Sequence, residues 1–444
     1  MKSERDQMVQ AISSRLGKRS LYWFGIRGDD ARSLMDINQF EGSFSIINRY
    51  SHAPLSYSVA YEDITGIRVD LDSWDIDLHL FDESTKEFRH LLLAAMGSAN
   101  AIVTYRPSQF LSALTFARED RCLYLGLYAG HQHVFEHKPW VETAVKNLGI
   151  PTLNWKYIAD EDQIDAEELL KDGPIVVRPS RGSGGTGMAK VDGMDSLDVL
   201  WPHGDEFFAS VSRFLDDCLP INVGAVVWDD GVTVHHPSIQ LIGIAQSTRR
   251  QFGYCGNDFR LSAMLEPHII DEVERKAVQI GNWLRSQGYR GAFGLDMMIS
   301  QGTVLFTEIN PRFQGSTRLS SRLDSLCEQS CILLDHIAAM LHVDAPIRPP
   351  LRETLIQAPP AAQLVLHNLA DVPVKVSARL VLAAMEGVDP LTHMEICAGP
   401  GTEVAPNAVT AVFSFDHAIT TTGYDLTPGL ADAMAQAFLT MNGV

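Results

Sequence analysis

The sequence has few cysteines, a shortage of basic residues and no long apolar run. Only six of its 444 residues are cysteine. Cys327 and Cys331 alone lie close together, at a helical spacing, which favours reduced packing residues over disulfides or a metal site. Lysine and arginine number 36 against 55 acidic residues, a net charge of −19. Because such a charge repels the phosphates of nucleic acids and anionic lipids, neither a nucleic acid nor a membrane is expected as a partner.

No apolar run approaches the length needed to span a membrane, and the first twenty residues carry charges throughout. A signal peptide needs an apolar stretch at that place, so the predicted location is cytoplasmic. The chain is rich in core-forming residues, since 45% of it is hydrophobic. At this length it can bury large cores in two or three domains.

Three regions differ in their pattern. Residues 1–135 alternate apolar runs with polar connections, which is typical of an N-terminal open α/β layer. Strands and helices alternate through 136–345, with a helix beginning near Pro139. The stretch APIRPPLRETLIQAPP (345–360) holds five prolines, which disfavour regular structure and predict a linker. We expect residues 346–444 to form a C-terminal domain that frames the substrate.

An apolar predicted strand is followed directly by a cluster of glycines in the stretch GPIVVRPSRGSGGTGMAKVDG (173–193). The spacing fits a Walker A loop, but Met188 and Ala189 replace the required Lys and Ser/Thr. A dinucleotide fold needs a helix within the glycines, whereas MAKV alternates like a strand. A protein kinase would contain H-R-D and D-F-G, and neither occurs. The remaining interpretation is a glycine flap between two strands that folds over a nucleotide triphosphate. A flexible hairpin without a ligand is the alternative.

Three oxygen-bearing side chains follow about 110 residues later. Asp296, Glu308 and Asn310 lie on a predicted hairpin that closes near Gln301 and Gly302. Side chains alternate faces along a strand, so a three-residue loop 300–302, with Gly302 in a left-handed conformation, places all three on one face. A two-residue loop would split them.

Oxygen ligands in this arrangement suit Mg²⁺ shared with substrate phosphates. An exposed hairpin with unrelated acidic residues is the alternative. Arg312 follows two residues after Asn310, close enough to hold a transferring phosphoryl group or a carboxylate.

A glycine flap after a strand, followed by D-x(11)-E-x-N-P-R, resembles the ATP-grasp superfamily of ADP-forming ligases over about residues 136–320. The resemblance implies the ATP-grasp fold, of α/β (α+β) class, with an open-sheet pre-ATP-grasp domain before it and a small domain after it. It also implies ATP and Mg²⁺ as cofactors, with Asp296, Glu308 and Asn310 as the metal ligands.

The same resemblance assigns residues to the phosphates. Lys138 in HKPW matches the lysine that opens the family's domain, and Arg178 in VVRPS stands where the family has a second lysine. Arginine keeps the charge and can hold phosphate through more than one N–H. Ser183, Gly184 and Gly185 of the flap would contact the triphosphate, and Arg312 would steady the acyl phosphate.

The adenine hinge of the family would fall on SVSRFLDD (210–217). Phe214 and Leu215 would flank the base. Ser212 stands near the place of the usual hinge glutamate, so the residue that contacts the ribose stays open between Asp216 and Asp217.

Two segments, QLIGIAQSTRRQFGYCGNDF (240–259) and EINPRFQGSTRLSS (308–321), are similar to peptide ligases of peptide-antibiotic biosynthesis, the pheganomycin-ligase type. This similarity implies that an amino acid or related acid is joined to an amine, expected to be a peptide N-terminus, through an acyl phosphate, with release of ADP and phosphate. A homodimer is compatible with it. A regulatory protein that binds nucleotide without ligation is the alternative, and a carboxylase component would need a separate biotin carrier.

Overall fold

The computed structural model describes residues 2–47, 57–69, 76–79, 81–97, 100–108, 111, 122–182, 184–202, 206–375, 391–396 and 403–441. Its α-helices are α1 (Glu4–Leu16), α2 (Tyr61–Thr65), α3 (Lys86–Met96), α4 (Ala129–Phe135), α5 (Lys138–Asn147), α6 (Ile164–Leu170), α7 (Met194–Leu200), α8 (Phe259–Ser262), α9 (Pro267–Ser286), α10 (Thr317–Leu326), α11 (Ile332–Met340), α12 (Leu351–Gln357) and α13 (Pro428–Met441). Short 3₁₀ helices span Gly28–Leu34, Ile76–His79, Glu83–Thr85 and Asp160–Asp162.

Within the described ranges, the β-strands form three larger sheets and one small pair. They are β1 (Leu21–Arg27), β2 (Phe40–Ile47), β3 (Tyr57–Ala60), β4 (Ala101–Thr104), β5 (Leu123–Tyr124), β6 (Lys156–Ala159), β7 (Ile175–Arg178), β8 (Ala189–Val191), β9 (Phe208–Arg213), β10 (Leu219–Val227), β11 (Val232–Val234), β12 (Ser238–Ile242), β13 (Tyr254–Asp258), β14 (Gly291–Ser300), β15 (Thr303–Asn310), β16 (Ala362–His367), β17 (Val374–Lys375), β18 (Leu391–Ile396), β19 (Glu403–Val404) and β20 (Val409–Phe415).

The N-terminal sheet is parallel, with strand order β3-β2-β1-β4-β5. Both of its faces are covered, because apolar residues of β1 alternate between two cores: Leu21 and Trp23 pack into one, and Phe24 packs into the other with Phe44 and Phe88. A parallel sheet buried on both faces is the expected architecture for this pattern. The predicted open α/β layer is therefore confirmed.

An antiparallel sheet of four strands, in the order β6-β9-β7-β8, carries the glycine cluster. Strands β7 and β8 pair directly, with Ile175 opposite Val191 and Val177 opposite Ala189. The glycines thus connect two antiparallel strands, as the alternating MAKV sequence predicts.

The largest sheet follows the order β15-β14-β10-β12-β13-β16-β20-β18, with β11 paired to β10. Helix α9 covers part of it through a stripe of buried residues that includes Ile269, Val273 and Ile280, the spacing of an amphipathic helix. The C-terminal strands extend this sheet, since Gly256 of β13 pairs with Leu364 of β16. The middle and C-terminal parts of the chain therefore share one backbone hydrogen-bond network.

The proline-rich stretch contains helix α12, and the first of its two arginines is held by other parts of the chain. The Arg348 guanidinium lies 2.6 Å from the Glu4 carboxylate and 2.8 Å from that of Asp335. In the ranges given above, no helix is long and apolar enough to cross a membrane.

The hairpin of β14 and β15 differs from its prediction. Ser300 pairs with Thr303, so the turn has the two residues Gln301 and Gly302, with φ of 49° and 74°. The predicted three-residue loop is wrong, whereas the positive φ of Gly302 is confirmed. The register shifts beside Asp296, which pairs with Glu308. The register shift is a β-bulge that adds one residue to β15. It returns Glu308 to the same face as Asp296, which the shorter turn alone would not do.

Candidate active site

A cavity of about 560 Å³ lies between the four-stranded sheet and the large sheet. The glycine flap forms one wall through Gly184 and Gly185, and the hairpin forms another through Asp296 and Glu308. A cavity of this volume can enclose a ligand the size of a nucleotide. The two sequence motifs, more than 100 residues apart, thus face one space.

Asp296, Glu308 and Asn310 lie on one face of the β14–β15 hairpin and all line the cavity. The side-chain amide of Asn310 donates to Asp296 Oδ2 at 2.9 Å. The other oxygen, Asp296 Oδ1, accepts from Asn222 at 2.5 Å and from Gln240 at 3.0 Å. Amide donors from β10, β12 and β15 thereby fix the orientation of this carboxylate.

The two carboxylates have pKa values shifted in opposite directions. Burial and the nearby charge of Glu308 raise the pKa of Asp296. Burial also acts to raise the pKa of Glu308, but the positive charges of Lys138 and Arg178 outweigh it and lower this pKa. Glu308 therefore stays ionised beside the cations, and a metal ion at the pair would favour ionisation of Asp296 as well.

Lys138 begins helix α5 and reaches both motifs. Its Nζ donates to the carbonyl oxygen of Gly182 at 2.8 Å and lies 3.1 Å from Glu308 Oε2. The side chain is almost fully buried, with 8% of its surface exposed. A buried ammonium needs such partners, because an unpaired one would be very costly. Lys138 therefore links the flap to the hairpin.

Arg178 ends strand β7 and is buried at the cavity wall. Its guanidinium lies 3.7 Å from the centre of the Trp155 ring. Its Nε and Nη2 atoms have no hydrogen-bond partner among the residues that the structure describes. Burial lowers its pKa to about 10, although Glu308 and Glu142 act to raise it. A buried cation with unused donors fits an anionic ligand such as phosphate.

The flap packs closely on the loop that precedes β13. Gly185 has a φ of 77°, and a Cβ built at this residue would lie 2.0 Å from the carbonyl oxygen of Phe252. Only glycine allows this approach. Ser183, expected to contact the triphosphate together with Gly184 and Gly185, lies outside the described residues.

The predicted adenine hinge also lines the cavity. Phe214 and Leu215 follow β9, and Phe214 donates its backbone N–H to the carbonyl oxygen of Pro174 at 2.9 Å. Lys190 Nζ lies 4.4 Å from the centre of the Phe214 ring. An aromatic and an aliphatic side chain here can contact the faces of a base. Asp216 lines the same end of the cavity.

Arg312 lines the same cavity, and neighbouring side chains hold its guanidinium group. Its Nε donates to Glu136 at 3.2 Å, and its Nη2 donates to Asn310 Oδ1 at 3.2 Å. Burial would lower the pKa of Arg312, but the Glu136 carboxylate outweighs burial and raises it. The permanent positive charge of Arg312 therefore lies beside the side-chain amide of Asn310, a predicted metal ligand.

Residues 144–316 match the model of a protein family described as the ATP-grasp domain. The fold of these residues is the ATP-grasp fold. The match covers the flap, the hinge and the hairpin that surround the cavity. Family members use ATP and Mg²⁺, in agreement with the two cofactors that the sequence predicts.

Curated proteins similar to this chain share limited identity with it. The formate-dependent phosphoribosylglycinamide formyltransferase of Erythrobacter litoralis is 24% identical over 253 residues, 55% of this chain and 60% of the relative. The enzyme of the same description from Geobacter metallireducens is 26% identical over 232 residues, 51% of this chain and 54% of the relative. The chain thus spans little more than half the length of these relatives.

Solved structures agree on the fold over nearly the whole chain. The N5-carboxyaminoimidazole synthetase of Staphylococcus aureus, complexed with ADP, has a TM-score of 0.58 at 13% identity and covers 94% of this chain and 97% of its own. The biotin carboxylase of Campylobacter jejuni has a TM-score of 0.56 at 13% identity, covering 94% and 86%. The predicted ATP-grasp fold is confirmed.

The predicted metal site has few protein ligands. Across the part of the chain that the structure describes, no three His, Cys, Asp or Glu side chains are grouped to hold a metal ion. Two carboxylates and one amide, as at Asp296, Glu308 and Asn310, suit an ion that takes its other ligands from phosphates and water. This is the usual binding mode of Mg²⁺ at nucleotide sites.

Several residues that the sequence analysis did not single out shape this site. They are Asn222, Gln240 and Gln314, whose amides contact Asp296, together with Trp155 on Arg178 and Glu136 on Arg312. The two glutamines lie within the segments that carry the peptide-ligase similarity. Asn222 has no such signal, because it reaches Asp296 only through the pairing of β10 with β14.

Proposed function

We propose that the chain is an ATP-dependent, ADP-forming ligase that joins a carboxylate to the amine of an amino acid or peptide. The observation that carries this proposal is the arrangement of Asp296, Glu308 and Asn310 on one wall of a cavity, facing Arg178 with its unused donors. The names of the curated relatives add support, since their reaction depends on formate, itself a carboxylate.

In this proposal the cations bind and orient the triphosphate. Lys138 and Arg178 neutralise its charge, and the backbone N–H groups of Gly184 and Gly185 cover it. Phe214 and Leu215 hold the adenine. Asp296, Glu308 and Asn310 would hold Mg²⁺, which when bound neutralises the phosphates and draws charge from the reacting phosphorus.

A carboxylate does not react with an amine at neutral pH, because one carboxylate oxygen would have to leave as hydroxide, which is a poor leaving group. In the first step a carboxylate oxygen attacks the γ-phosphorus, and the bond from that phosphorus to the bridging oxygen breaks, which releases ADP. The product is an acyl phosphate, which Arg312 steadies. In the second step the amine attacks the carbonyl carbon, and phosphate leaves with a proton from the nitrogen.

Water would destroy the acyl phosphate, so the cavity has to close over it. The Gly185–Phe252 contact places the flap against the loop 249–253. We propose that these two segments together exclude water during the second step.

The test is ADP release from ATP and Mg²⁺ over a panel of carboxylic acids and amino acids or short peptides, with mass spectrometry of the products. ADP release that requires both an acid and an amine, with a product heavier by the expected amide bond, supports the ligase. Nucleotide binding without such turnover would favour the regulatory alternative.

A further inference from the structure

The side-chain amide of Gln363 connects the C-terminal part of the chain to the segment that follows the predicted metal ligands. Gln363 lies in β16 and is almost fully buried, with 7% of its surface exposed. Its Nε2 donates to the carbonyl oxygen of Gly315 at 3.1 Å, to the Tyr254 hydroxyl at 2.7 Å and to Asn257 Oδ1 at 3.2 Å. Three acceptors share the two N–H groups of this amide. Because Tyr254 and Gly315 line the nucleotide cavity, the amide lies directly behind its wall.

The place of this amide is set by the pairing of two strands. Asn257 of β13 lies directly opposite Gln363 of β16 in the antiparallel ladder, so their side chains lie on the same face of the sheet. Next to Asn257, Gly256 has a φ of 137°, and a Cβ built there would lie 2.0 Å from the carbonyl oxygen of Gln363. Glycine is the residue that allows such a close approach of the two backbones. Gln363 is therefore held in a rigid part of the sheet.

The segment 314–316 supplies hydrogen bonds to the Asp296 carboxylate. Gln314 Nε2 donates to Asp296 Oδ1 at 3.3 Å. Ser316 acts through a second residue, since its hydroxyl donates to Asn222 Oδ1 at 2.9 Å and Asn222 Nδ2 donates to Asp296 Oδ1 at 2.5 Å. The orientation of this predicted metal ligand thus depends on the position of the segment.

Gly315 is the middle residue of that segment, and its surroundings leave it little space. Its carbonyl oxygen accepts from Gln363, and a Cβ built at Gly315 would lie 3.1 Å from the Tyr254 hydroxyl oxygen. A displacement of the Gly315 backbone would move both of its neighbours, Gln314 and Ser316. The contact from β16 is therefore linked to Asp296 through a short chain of hydrogen bonds.

Building on the proposed function, we propose that Gln363 is a positioning residue for the metal site. It holds Gly315, and through the segment 314–316 it keeps the Asp296 carboxylate in the orientation that Mg²⁺ requires. Groups that orient a metal ligand through hydrogen bonds strengthen metal binding, and Mg²⁺ tolerates little departure from octahedral geometry. The C-terminal part of the chain thereby supports binding of the metal ion, in addition to framing the substrate.

Calorimetric titration of ADP into the full chain, in EDTA and at a series of Mg²⁺ concentrations, tests this role without the ligation substrates. The Mg²⁺ concentration at which half of the change in the Kd for ADP is reached reports the affinity for the metal ion. Gln363→Met keeps the approximate length of the side chain and removes the amide. We expect this midpoint to rise about tenfold or more in the variant, with the Kd for ADP in EDTA unchanged.

Asn368→Ala is the matched control in the same part of the chain. Asn368 is fully buried, and its amide donates to the carbonyl oxygens of Val372 at 3.0 Å and Val404 at 2.9 Å. Its loss should therefore lower the thermal unfolding temperature but leave the Mg²⁺ midpoint unchanged. Gln363→Asn, whose amide is one methylene too short to reach Gly315, should raise the midpoint as Gln363→Met does and provides the test where the methionine variant does not fold.

Three results would overturn the proposal. The first is an unchanged Mg²⁺ midpoint in a folded Gln363 variant, or an equal rise in Asn368→Ala. The second is an equal weakening of ADP binding in EDTA, which would show that Gln363 supports the nucleotide cavity as a whole. The third is the absence of any effect of Mg²⁺ on ADP binding by the unaltered chain.

The proposed function and this inference can fail separately. A raised Mg²⁺ midpoint in Gln363→Met, without ADP release by the unaltered chain for any pair of acid and amine, would retain the positioning role and remove the ligase. Amide formation by the unaltered chain, together with an unchanged midpoint in Gln363→Met, would retain the ligase and overturn the positioning role.

Discussion

Asp296 and Glu308 lie directly opposite each other across β14 and β15, although the turn between these strands has only two residues. An unbroken ladder from that turn would pair Asp296 with Thr307 and send Glu308 to the other face. The bulge inserts Thr307, whose hydroxyl donates to the Asp296 carbonyl oxygen at 2.7 Å. The facing carboxylates therefore depend on a local irregularity in the sheet.

We expect Glu308→Gln to lower the rate of ADP formation by about 100-fold or more, because one of the two carboxylates that would hold the metal ion is lost. Glu161→Gln, at an exposed residue outside the cavity, is the matched control and should retain the full rate. Steady-state ADP release measures the effect, and circular dichroism confirms folding. A folded Glu308→Gln variant with near-normal turnover would contradict the metal assignment.

The turn residue Gln301 provides a test of the hairpin. Its φ of 49° is unfavourable for most side chains, whereas asparagine tolerates it well in a two-residue turn before glycine. We expect Gln301→Asn to raise the free energy of unfolding by about 0.5 kcal/mol and Gln301→Val, which is β-branched, to lower it by roughly 1 kcal/mol. Urea titration measures both changes. An increase for valine would be inconsistent with the observed turn.

Arg178→Met should affect stability and nucleotide affinity in opposite directions. Without nucleotide, Arg178 carries buried donors that have no hydrogen-bond partner in the described part of the chain. An apolar replacement is therefore expected to stabilise the chain by about 1 kcal/mol. The Kd for ATP should rise tenfold or more, because the phosphates lose a cation. Denaturant titration and calorimetry supply the two readouts.

Two further variants control the Arg178 experiment. Arg178→Lys keeps the charge and should retain most of the ATP affinity, while Arg19→Met, at an exposed residue, should change neither quantity. Unchanged ATP affinity in Arg178→Met would exclude Arg178 from the phosphate site.

The flap can be tested with adjacent glycines. Gly184 and Gly185 both have positive φ, so alanine strains the backbone at either residue. Only at Gly185 would the added Cβ collide with Phe252, since nothing lies within 4 Å of one at Gly184. We expect Gly185→Ala to reduce ADP formation at least tenfold more than Gly184→Ala does. Equal effects in the two variants would argue that the contact with Phe252 is unimportant.

Stability should fall as pH rises, because of a buried histidine. Burial by itself would lower the pKa of His236, but its hydrogen bond to Asp324, of 2.6 Å, and the carboxylate charge raise it to about 9. Since the ordinary value is 6.5, this stabilisation is fully present below pH 6.5 and is lost as pH rises through about 9.

We expect the unfolding free energy of the unaltered chain to decrease between pH 6.5 and 9.5, a range set by that pKa of about 9. His236→Asn should flatten this dependence, whereas His268→Gln, at an exposed histidine, should leave it unchanged. Urea titration at a series of pH values supplies the curves. An identical pH dependence in His236→Asn would show that the Asp324 pair is not responsible.

Local sequence determined much of the fold. Apolar runs broken by polar connections specified the strands of the N-terminal sheet, and the stripe of α9 specified a long helix. The alternating residues after the glycine cluster identified a flap between strands instead of a helix-capping loop. The spacing of Asp296, Glu308 and Asn310 predicted three oxygen-bearing side chains on one face of a hairpin. It did so through a three-residue loop, whereas the structure has a two-residue turn and a bulge.

Tertiary structure decided the rest. The sequence gives no signal for a bulge at Thr307, since the bulge acts by aligning Asp296 with Glu308 on the neighbouring strand. Nor does it place Asn222 beside Asp296, because these residues meet only when separate strands pack. Periodicity in the sequence indicates which face of a helix or strand is buried. A functional site depends instead on which helices and strands are neighbours, and only long-range packing determines those neighbours.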